Sequence, residues 1–333
     1  MDARPPVIEV RGLTKTFRTY KKPPGLRGAL KGLFSREHED VHAARDITFT
    51  VREGEFVGFL GPNGAGKTTT LKMLAGLLYP TSGEARVLGF VPWERADGYR
   101  RQFALLLGQK NQLWWDLPAS ESLALNARIY GLPKADADRT VADLADLLDV
   151  APKLNTMVRE LSLGERLTCE LIAALLPRPR VLFRDEPTIG LDVVSQQRVR
   201  EFLREYNSRH HTTILLTSHY MADIEALCER VVVVDRGTLF FDGPLAEMTS
   251  RFMQHKLITV RTEGACPEGR NLTRYGEVLE RTSAGVKLKV PRARVVPVCK
   301  ALLDELPVHD LDIEEVPIEE VIRQIFAREA AAA

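Results

Sequence analysis

The stretch that decides the fold is Leu60-Gly61-Pro62-Asn63-Gly64-Ala65-Gly66-Lys67-Thr68-Thr69. It fits the phosphate-loop pattern G-x-x-x-x-G-K-[ST] at all four fixed positions. An apolar run over residues 56–60 enters the loop, and a helix-forming run over residues 69–74 leaves it. Because the pattern and both flanks agree, a glycine-rich turn that binds nothing is a poor explanation.

This loop predicts a site for the phosphates of a nucleotide. Glycines let the backbone curl so that successive N–H groups point at a β-phosphate, and the following helix adds the positive end of its dipole. Lys67 is placed to reach the β- and γ-phosphates, and the Thr68 hydroxyl is placed to bind Mg²⁺. The expected phosphate-binding residues are Gly61, Pro62, Asn63, Gly64, Ala65, Gly66, Lys67, Thr68 and Thr69.

Composition narrows the class of protein. Of 333 residues, 44% are hydrophobic, and 46 Lys and Arg face 45 Asp and Glu, so no overall charge favours a nucleic-acid partner. The four cysteines form no C-x-x-C pair, which argues against a zinc site or a disulfide framework and favours a reducing cytosol. No signal peptide or bilayer-spanning apolar stretch is visible, so we expect another chain to supply any membrane part.

Alternating strand and helix patterns predict an α/β fold. The continuous apolar strands argue for a mainly parallel sheet covered by helices on both faces; they span residues 56–60, 103–107, 180–184, 212–217 and 230–234. Runs at residues 7–10, 41–51 and 84–88 predict separate strands, the second of them half-buried and antiparallel. Helical spacing between residues 120 and 150 predicts a helical subdomain.

Two segments differ in character from the rest of the chain. Residues 18–40 form an apparent insertion whose Leu26, Leu30, Leu33 and Phe34 follow one helix face with basic flanks. This basic amphipathic helix could dock on lipid headgroups or a membrane partner, or pack on its own domain. Residues 249–333 predict a small α+β accessory domain, with a last helix over residues 317–328, following a main domain over residues 1–248. The accessory domain could stabilise a dimer or bind a regulator or ligand.

A second chemical motif is the apolar strand that ends in Asp185 and Glu186. A carboxylate at the carboxyl end of such a strand, downstream of a phosphate loop, is placed to hold Mg²⁺ through water. The next carboxylate lies beside the γ-phosphate and is placed to act as a general base for water. We therefore expect Asp185 to be a metal ligand and Glu186 to be catalytic.

The stretch Leu161-Ser162-Leu163-Gly164-Glu165, just before this acidic strand, resembles the signature motif of ATP-binding cassette (ABC) transporter ATPases. The resemblance extends from about residue 7 to residue 245. It implies a P-loop NTPase cassette that binds ATP and Mg²⁺. This cassette would contain an antiparallel β subdomain and an inserted helical subdomain at residues 109–165. It also implies that Ser162 and Gly164, with Glu165 beside them, contact the γ-phosphate of ATP held by a second copy of the chain.

The same resemblance implies roles for three further polar residues. Gln109 resembles the glutamine that senses Mg²⁺ and the attacking water, so it is a candidate metal ligand and catalytic residue. Asp192 resembles the aspartate at the dimer contact, and His219 resembles the switch histidine that contacts the γ-phosphate. For the aromatic residue that stacks on adenine, Phe17 is the closer match, and Tyr20 is an alternative because of the insertion.

The chain departs from the family pattern at three positions. Leu163 and Glu165 replace the more frequent glycine and glutamine, and the glutamate adds negative charge near a phosphate. Arg184 stands where an apolar residue is usual, and a buried cation is costly unless it is paired. We therefore predict that Arg184 has an acid nearby or is solvated.

The resemblance implies a transport function. The motif wording and the C-terminal appendage are similar to ATPases of ABC-2 type exporters, which implies a homodimer on the cytoplasmic face of the membrane, bound to an integral-membrane ABC-2 type permease. The insertion is also similar to that of ATPases serving polysaccharide and lipid-linked glycan exporters. A soluble ABC ATPase of translation or DNA maintenance is the alternative.

Trp114 and Trp115 lie where the cassettes of ABC transporters meet the permease, although packing inside the helical subdomain explains them equally well.

Overall fold

The phosphate-loop stretch connects a buried strand to a helix, as its flanks predict. The computed structural model describes residues 4–20, 38–108, 112–188, 190–218, 221–252, 254–263 and 272–316. The chain divides into two compact units between Gly243 and Pro244. Within the described ranges, no helix is both long and apolar enough to cross a membrane.

The first unit contains nine strands and seven α-helices among its described residues. The strands are β1 (Pro6–Tyr20), β2 (His38–Arg52), β3 (Phe56–Leu60), β4 (Ser82–Val87), β5 (Phe103–Leu107), β6 (Val181–Asp185), β7 (Thr213–Thr217), β8 (Arg230–Asp235) and β9 (Thr238–Pro244). The helices are α1 (Lys67–Leu74), α2 (Asp97–Arg100), α3 (Ala119–Ile129), α4 (Lys134–Leu147), α5 (Leu163–Leu175), α6 (Val193–His210) and α7 (Met221–Leu227).

A six-stranded sheet in the order β5-β6-β7-β3-β8-β9 forms the centre of this unit. The four pairings from β5 to β8 are parallel, and every residue of β6 and β7 is buried. A two-residue connection joins β8 to β9, which only an antiparallel pair can accommodate. The continuous apolar runs in the sequence reflect this two-sided burial, and the predicted α/β fold class is confirmed.

The strand register brings the predicted chemical residues to one edge of the sheet. Asp185 at the end of β6 is opposite Thr217 on β7, and Thr217 is opposite Phe59 on β3. The phosphate loop leaves β3 directly after Leu60. Consequently, the loop and the acidic strand end meet at the carboxyl edge of the parallel strands, where ligands of open α/β sheets bind.

The second sheet of this unit extends into both ends of the predicted insertion. Antiparallel strands in the order β2-β1-β4 form it, and the pairing of β1 with β2 continues to Arg18 with Asp40 and Tyr20 with His38. Residues 18–20 and 38–40, the two ends of the predicted insertion, therefore lie on β1 and β2. These strand ends are largely exposed, so they lack the apolar alternation that identifies strands in sequence. The predicted amphipathic helix lies outside the described residues.

Helices α3 and α4 form the helical subdomain between the two sheet-forming parts. The chain returns from α4 past Met157, which forms an isolated bridge with Pro118, and the Val158 amide donates to the Leu117 carbonyl at 3.0 Å. These bonds close the subdomain at its base, directly before α5 begins. The signature stretch therefore starts a helix at the boundary of the subdomain.

The described part of the second unit contains an antiparallel sheet with a helix packed on one face. Its elements are α8 (Leu245–Phe252), β10 (His255–Thr262), β11 (Glu277–Thr282), β12 (Gly285–Pro291), α9 (Val295–Glu305) and β13 (Val308–Glu315). The sheet order is β11-β12-β10-β13, and its core includes Ile258, Leu288 and Leu302. This is the predicted α+β arrangement. Helix α8 was not predicted, and the helix expected over residues 317–328 lies outside the described residues.

Arg184 is the largest polar side chain in the core of the first unit. It is 2% exposed, which excludes the solvated position, and the charges of Glu170, Asp185 and Asp223 act on it. Burial lowers the pKa of Arg184 to about 10, and these acids oppose that shift. One guanidinium nitrogen, Nη2, donates to the Pro187 carbonyl at 3.0 Å. The prediction of a nearby acid is confirmed.

We expect Arg184→Met to destabilise the first unit by about 3 kcal/mol, because it leaves Glu170 buried with less compensating charge. Burial raises the pKa of Glu170, and the positive charges of Arg166 and Arg184 oppose this shift. A carboxyl whose pKa is raised in the folded state favours folding at low pH and loses this contribution as pH rises. Loss of the Arg184 charge raises the pKa of Glu170 further, so the cost should be larger at the higher of two pH values than at the lower.

Urea unfolding followed by tryptophan fluorescence measures this cost, since all three tryptophans, Trp93, Trp114 and Trp115, lie in the first unit. The matched control is the double variant Arg184→Met with Glu170→Gln, which should recover most of the lost stability. An unchanged midpoint in the single variant would show that Arg184 and Glu170 are not coupled.

Candidate nucleotide site

The phosphate loop wraps around a cavity of about 280 Å³ at the edge of the central sheet. The lining residues are Ala43, Pro62, Asn63, Gly64, Ala65, Gly66, Lys67, Thr68, Thr69, Asp185 and Glu186. A Cβ atom at Gly61 would lie 2.1 Å from the Val234 carbonyl oxygen, and one at Gly66 would lie 2.0 Å from the Ala43 carbonyl oxygen. Both positions therefore require glycine, which allows the loop to curl closely against its neighbours.

Helix α1 begins at the bottom of this cavity. Gly66 precedes its first turn with φ of 100°, a left-handed conformation that favours glycine. The Lys67 ammonium donates to the carbonyl oxygens of Gly61 at 2.6 Å and Pro62 at 3.1 Å, so it lies over the loop. A helix N-terminus with a lysine ammonium inside a curled loop is an arrangement suited to anionic phosphate oxygens.

Thr68 and Asp185 form the direct link between the loop and the acidic strand. The Thr68 hydroxyl donates to Asp185 Oδ2 at 3.0 Å, and the Thr217 hydroxyl donates to Asp185 Oδ1. A hydroxyl and a carboxylate beside a phosphate site are the hard oxygen donors that Mg²⁺ prefers. The residues present therefore fit a magnesium ion, which would be held by Thr68 and Asp185.

Glu186 lines the same cavity in an unusual backbone conformation. Its φ is 54°, the left-handed region that residues other than glycine rarely adopt. Its amide donates to the Thr217 carbonyl at 3.0 Å, which holds the turn that follows β6. Backbone strain of this kind persists only where the surroundings enforce it, and it is concentrated at functional sites.

The signature residues lie outside the phosphate cavity, at the start of α5. Ser162 is the N-cap and forms a capping box with Glu165: the Glu165 amide donates to the Ser162 hydroxyl at 3.3 Å, and the Ser162 amide donates to Glu165 Oε2 at 2.9 Å. Lys153 forms an ion pair with Glu165 at 2.9 Å. This lysine, and then the Ser162 amide, lower the pKa of Glu165. Gly164 follows in the first turn of the helix.

Asp192 performs a similar structural task at the start of α6. Its carboxylate accepts from the Ser195 amide at 3.0 Å and the Ser195 hydroxyl at 2.6 Å. These two bonds lower the pKa of Asp192, whose side chain is exposed. It too lies outside the phosphate cavity. The residues assigned to contact a second copy are thus separate from those of the chain's own cradle.

The remaining predicted residues are only partly described. Gln109 and His219 lie outside the described residues. Phe17 is half-buried on β1 opposite Val41, which precedes the cavity residue Ala43 on β2, and the Lys15 ammonium lies 5.1 Å from its ring centre. The side chain of Tyr20 is not described, so the choice between the two aromatic residues stays a prediction.

Three residues of this region were not found by sequence reasoning. Ala43 lines the cavity from β2, Thr217 bonds Asp185, and Lys153 neutralises Glu165. Thr217 carried a usable signal, since it ends an apolar strand parallel to the acidic one. The contacts of Ala43 and Lys153 join distant parts of the chain and have no local signature.

The tryptophan pair lies on the surface of the helical subdomain. Trp114 is 39% exposed and Trp115 is 45% exposed, whereas the preceding Leu113 is buried. The guanidinium carbon of Arg166, on α5, lies 5.5 Å from a ring centre of Trp115. This contact connects the exposed aromatic pair to the helix that begins with the signature residues.

Family models match both units of the chain. The model described as ABC transporter matches residues 44–189, which include the phosphate loop, the signature stretch and the acidic strand. The model described as EvrA-like ABC transporter, C-terminal domain, matches residues 254–314 in the second unit. The two parts of the chain thus match transporter models separately.

Some curated relatives are much longer than this chain. The mouse ABC-type organic anion transporter ABCA8A is 32% identical over 292 residues, which are 85% of this chain and 18% of that protein. The chain spans about a fifth of the length of such relatives.

Other relatives match along most of their length. The linearmycin resistance ATP-binding protein LnrL of Bacillus subtilis is 28% identical over 280 residues, which cover 83% of this chain and 89% of LnrL. A solved ATP-binding subunit of an ABC transporter has a TM-score of 0.61 at 28% identity and covers 74% of this chain and 93% of its own. The ABC transporter ATP-binding protein NatA of Bacillus subtilis is 34% identical over 215 residues, which cover 65% of this chain and 87% of NatA. Because NatA matches along most of its length, the resemblance is confirmed and the chain belongs to the ATP-binding proteins of ABC transporters.

Proposed function

We propose that this chain binds and hydrolyses ATP as the motor subunit of an ABC-2 type export transporter. One observation carries the proposal. Lys67, Thr68, Asp185 and Glu186 line a single cavity, whereas the exposed Ser162 lies outside it. The cavity supports nucleotide binding by one chain. Because the signature residue Ser162 is exposed outside this cavity, the remaining contacts to the γ-phosphate would come from Ser162 of a second copy.

Each residue of the cavity has a role that its position supports. The loop amides and Lys67 bind the β- and γ-phosphates, and Thr68 with Asp185 holds Mg²⁺. When bound, the metal ion offsets phosphate charge. Glu186 accepts the proton of the attacking water, because its carboxylate lies beside the cavity one residue after the metal ligand. Gln109 and His219 are assigned to the water and the γ-phosphate by the family resemblance alone.

The dimer is proposed from the surface position of the second set of residues. Ser162 and Gly164 at the N-terminus of α5 offer backbone donors and a dipole to the γ-phosphate of ATP on the second copy. Asp192 would lie at the contact between the copies. Closure around two ATP molecules then brings both halves of each site together, and hydrolysis allows the copies to separate.

The transport assignment rests on the surface of the helical subdomain. Exposed Trp114 and Trp115 form an aromatic pair of the kind that anchors protein interfaces. We propose that this pair contacts a cytoplasmic segment of an ABC-2 type permease, which places the chain on the cytoplasmic face of the membrane. The linearmycin resistance role in the name of LnrL supports export, and the permease would select the substrate.

Replacing the general base should separate ATP binding from hydrolysis. Glu186→Gln should reduce turnover by about a hundredfold or more, because the amide cannot accept the proton of water. ATP binding should persist, and an ATP-bound dimer should accumulate and be visible by light scattering after size-exclusion chromatography. Glu84→Gln, at an exposed position of β4, is the matched control and should hydrolyse normally. Normal hydrolysis by Glu186→Gln would refute the general-base role.

Removing the charge of Glu165 and removing the charge of Lys153 should shift the ATP concentration for half-maximal hydrolysis in opposite directions. Glu165→Gln keeps a side chain that can complete the capping box and removes a negative charge, so half-maximal hydrolysis should need roughly two- to fivefold less ATP. Lys153→Met exposes the charge of Glu165 and should raise the requirement by a similar factor. Steady-state ATPase titrations at two salt concentrations measure both, since added salt should shrink each effect. A shift of both variants in the same direction would contradict this electrostatic account.

Removing the aromatic pair should weaken capture of the permease. We expect the double variant Trp114→Ser with Trp115→Ser to recover at least about tenfold less of a polytopic membrane protein from native membranes in mild detergent. Tyr79→Ser, which removes an exposed ring elsewhere in the unit, is the control. If the unaltered chain recovers no polytopic partner, the soluble alternative is favoured.

A further inference from the structure

A fully buried carboxylate on α7 lies close to the ends of β6 and β7. Asp223 is 0% exposed, and its Oδ2 accepts from the Thr188 hydroxyl at 2.6 Å and the Ser218 hydroxyl at 3.2 Å. Its Oδ1 accepts from Arg200 Nε at 2.7 Å. A buried carboxylate is tolerated when its charge is paired and its oxygens are bonded, and here both conditions are met.

Two of these donors lie just after β6 and β7, the strands that end at the proposed site. Thr188 comes two residues after Glu186, and Ser218 directly follows Thr217, the residue that bonds Asp185. Both donors are almost completely buried, at 1% and 0% exposure. One carboxylate oxygen therefore joins the turn after β6 to the end of β7, next to the carboxylates of the proposed site.

The third donor extends the network to the start of α6. Arg200 Nη2 donates to Gln196 Oε1 at 3.2 Å, and Gln196 Nε2 donates to the Leu191 carbonyl at 3.0 Å. Leu191 precedes Asp192, the N-cap of α6 and the proposed contact with the second copy. The network therefore connects the turn of the general base to the dimer-contact residue without passing through the phosphate loop.

We propose that Asp223 is a positioning residue that keeps the turn of Glu186, the end of β7 and the start of α6 in register for hydrolysis. This inference rests on the proposed ATPase function and adds a residue that acts through others. The phosphate-binding residues follow β3, whereas the direct donors to Asp223 follow β6 and β7 or lie on α6. Loss of the network should therefore lower kcat and leave the KM for ATP nearly unchanged.

The test removes single hydroxyl groups while the shape of the side chain stays nearly the same. Thr188→Val and Ser218→Ala should each lower kcat by roughly ten- to a hundredfold, because small misplacements of catalytic groups are costly, with a KM change below about twofold. Thr212→Val is the matched control. The Thr212 hydroxyl is also buried and donates to the Pro179 carbonyl at 3.1 Å, but Thr212 directly precedes β7, at the end of the strand away from the site. It should keep the kcat of the unaltered chain.

The same series of variants measures the energetic coupling between Asp223 and Thr188. Asp223→Asn alone and combined with Thr188→Val should show nearly equal losses, because both changes break one network. Amide hydrogen exchange gives a readout without ATP turnover: the amides of Glu186 and Leu191, which donate to Thr217 and Thr188 carbonyls at 3.0 and 3.2 Å, should exchange faster. The amides of α1 should be unaffected. If Asp223→Asn does not fold, the two hydroxyl variants decide.

Two outcomes separate this inference from the proposed function. If Thr188→Val and Ser218→Ala keep full kcat and unchanged exchange, or lose no more than Thr212→Val, Asp223 is a structural residue only and the proposal is overturned. If the unaltered chain itself hydrolyses no ATP, the proposed function fails, while the exchange measurement still tests whether Asp223 positions the turns.

Discussion

The hydrogen bond between Thr68 and Asp185 is the contact on which the candidate site depends. It joins the helix that follows β3 to the end of β6. Strands β3 and β6 are not neighbours in the sheet, because β7 lies between them. The intervening β7 supplies Thr217, whose hydroxyl bonds the other oxygen of Asp185. Three parallel strands must therefore end at matching heights, and their register meets that requirement.

The parts of the site that depend on local backbone chemistry could be predicted from sequence. At Gly61 and Gly66 a Cβ atom would clash with a carbonyl oxygen, so the glycines in the pattern are required by sterics. The parallel strands are buried on both faces, and continuous apolar runs record that burial. Strand, loop, helix and acidic strand end were consequently placed in the correct order and on the correct edge of the sheet.

The features that sequence reasoning missed depend on contacts between distant residues. Lys153 pairs with Glu165 through the fold of the helical subdomain, and neither residue signals the other in sequence. The extended arms of β1 and β2 are stabilised by each other's backbone groups and by the exposed pair Arg18 with Asp40, so their side chains need not alternate. In both cases the determining partner is supplied by tertiary structure.

The departure at Glu165 also gains a physical explanation from the structure. A carboxylate beside a γ-phosphate would repel it, but Glu165 completes the cap of α5 and is paired with Lys153. The carboxylate therefore interacts with the Ser162 amide and the lysine ammonium. The other amides of the first turn, and the helix dipole, can still bind an anion. The signature helix can thus carry a glutamate and still present a surface suited to phosphate, because the helical subdomain provides the compensating charge.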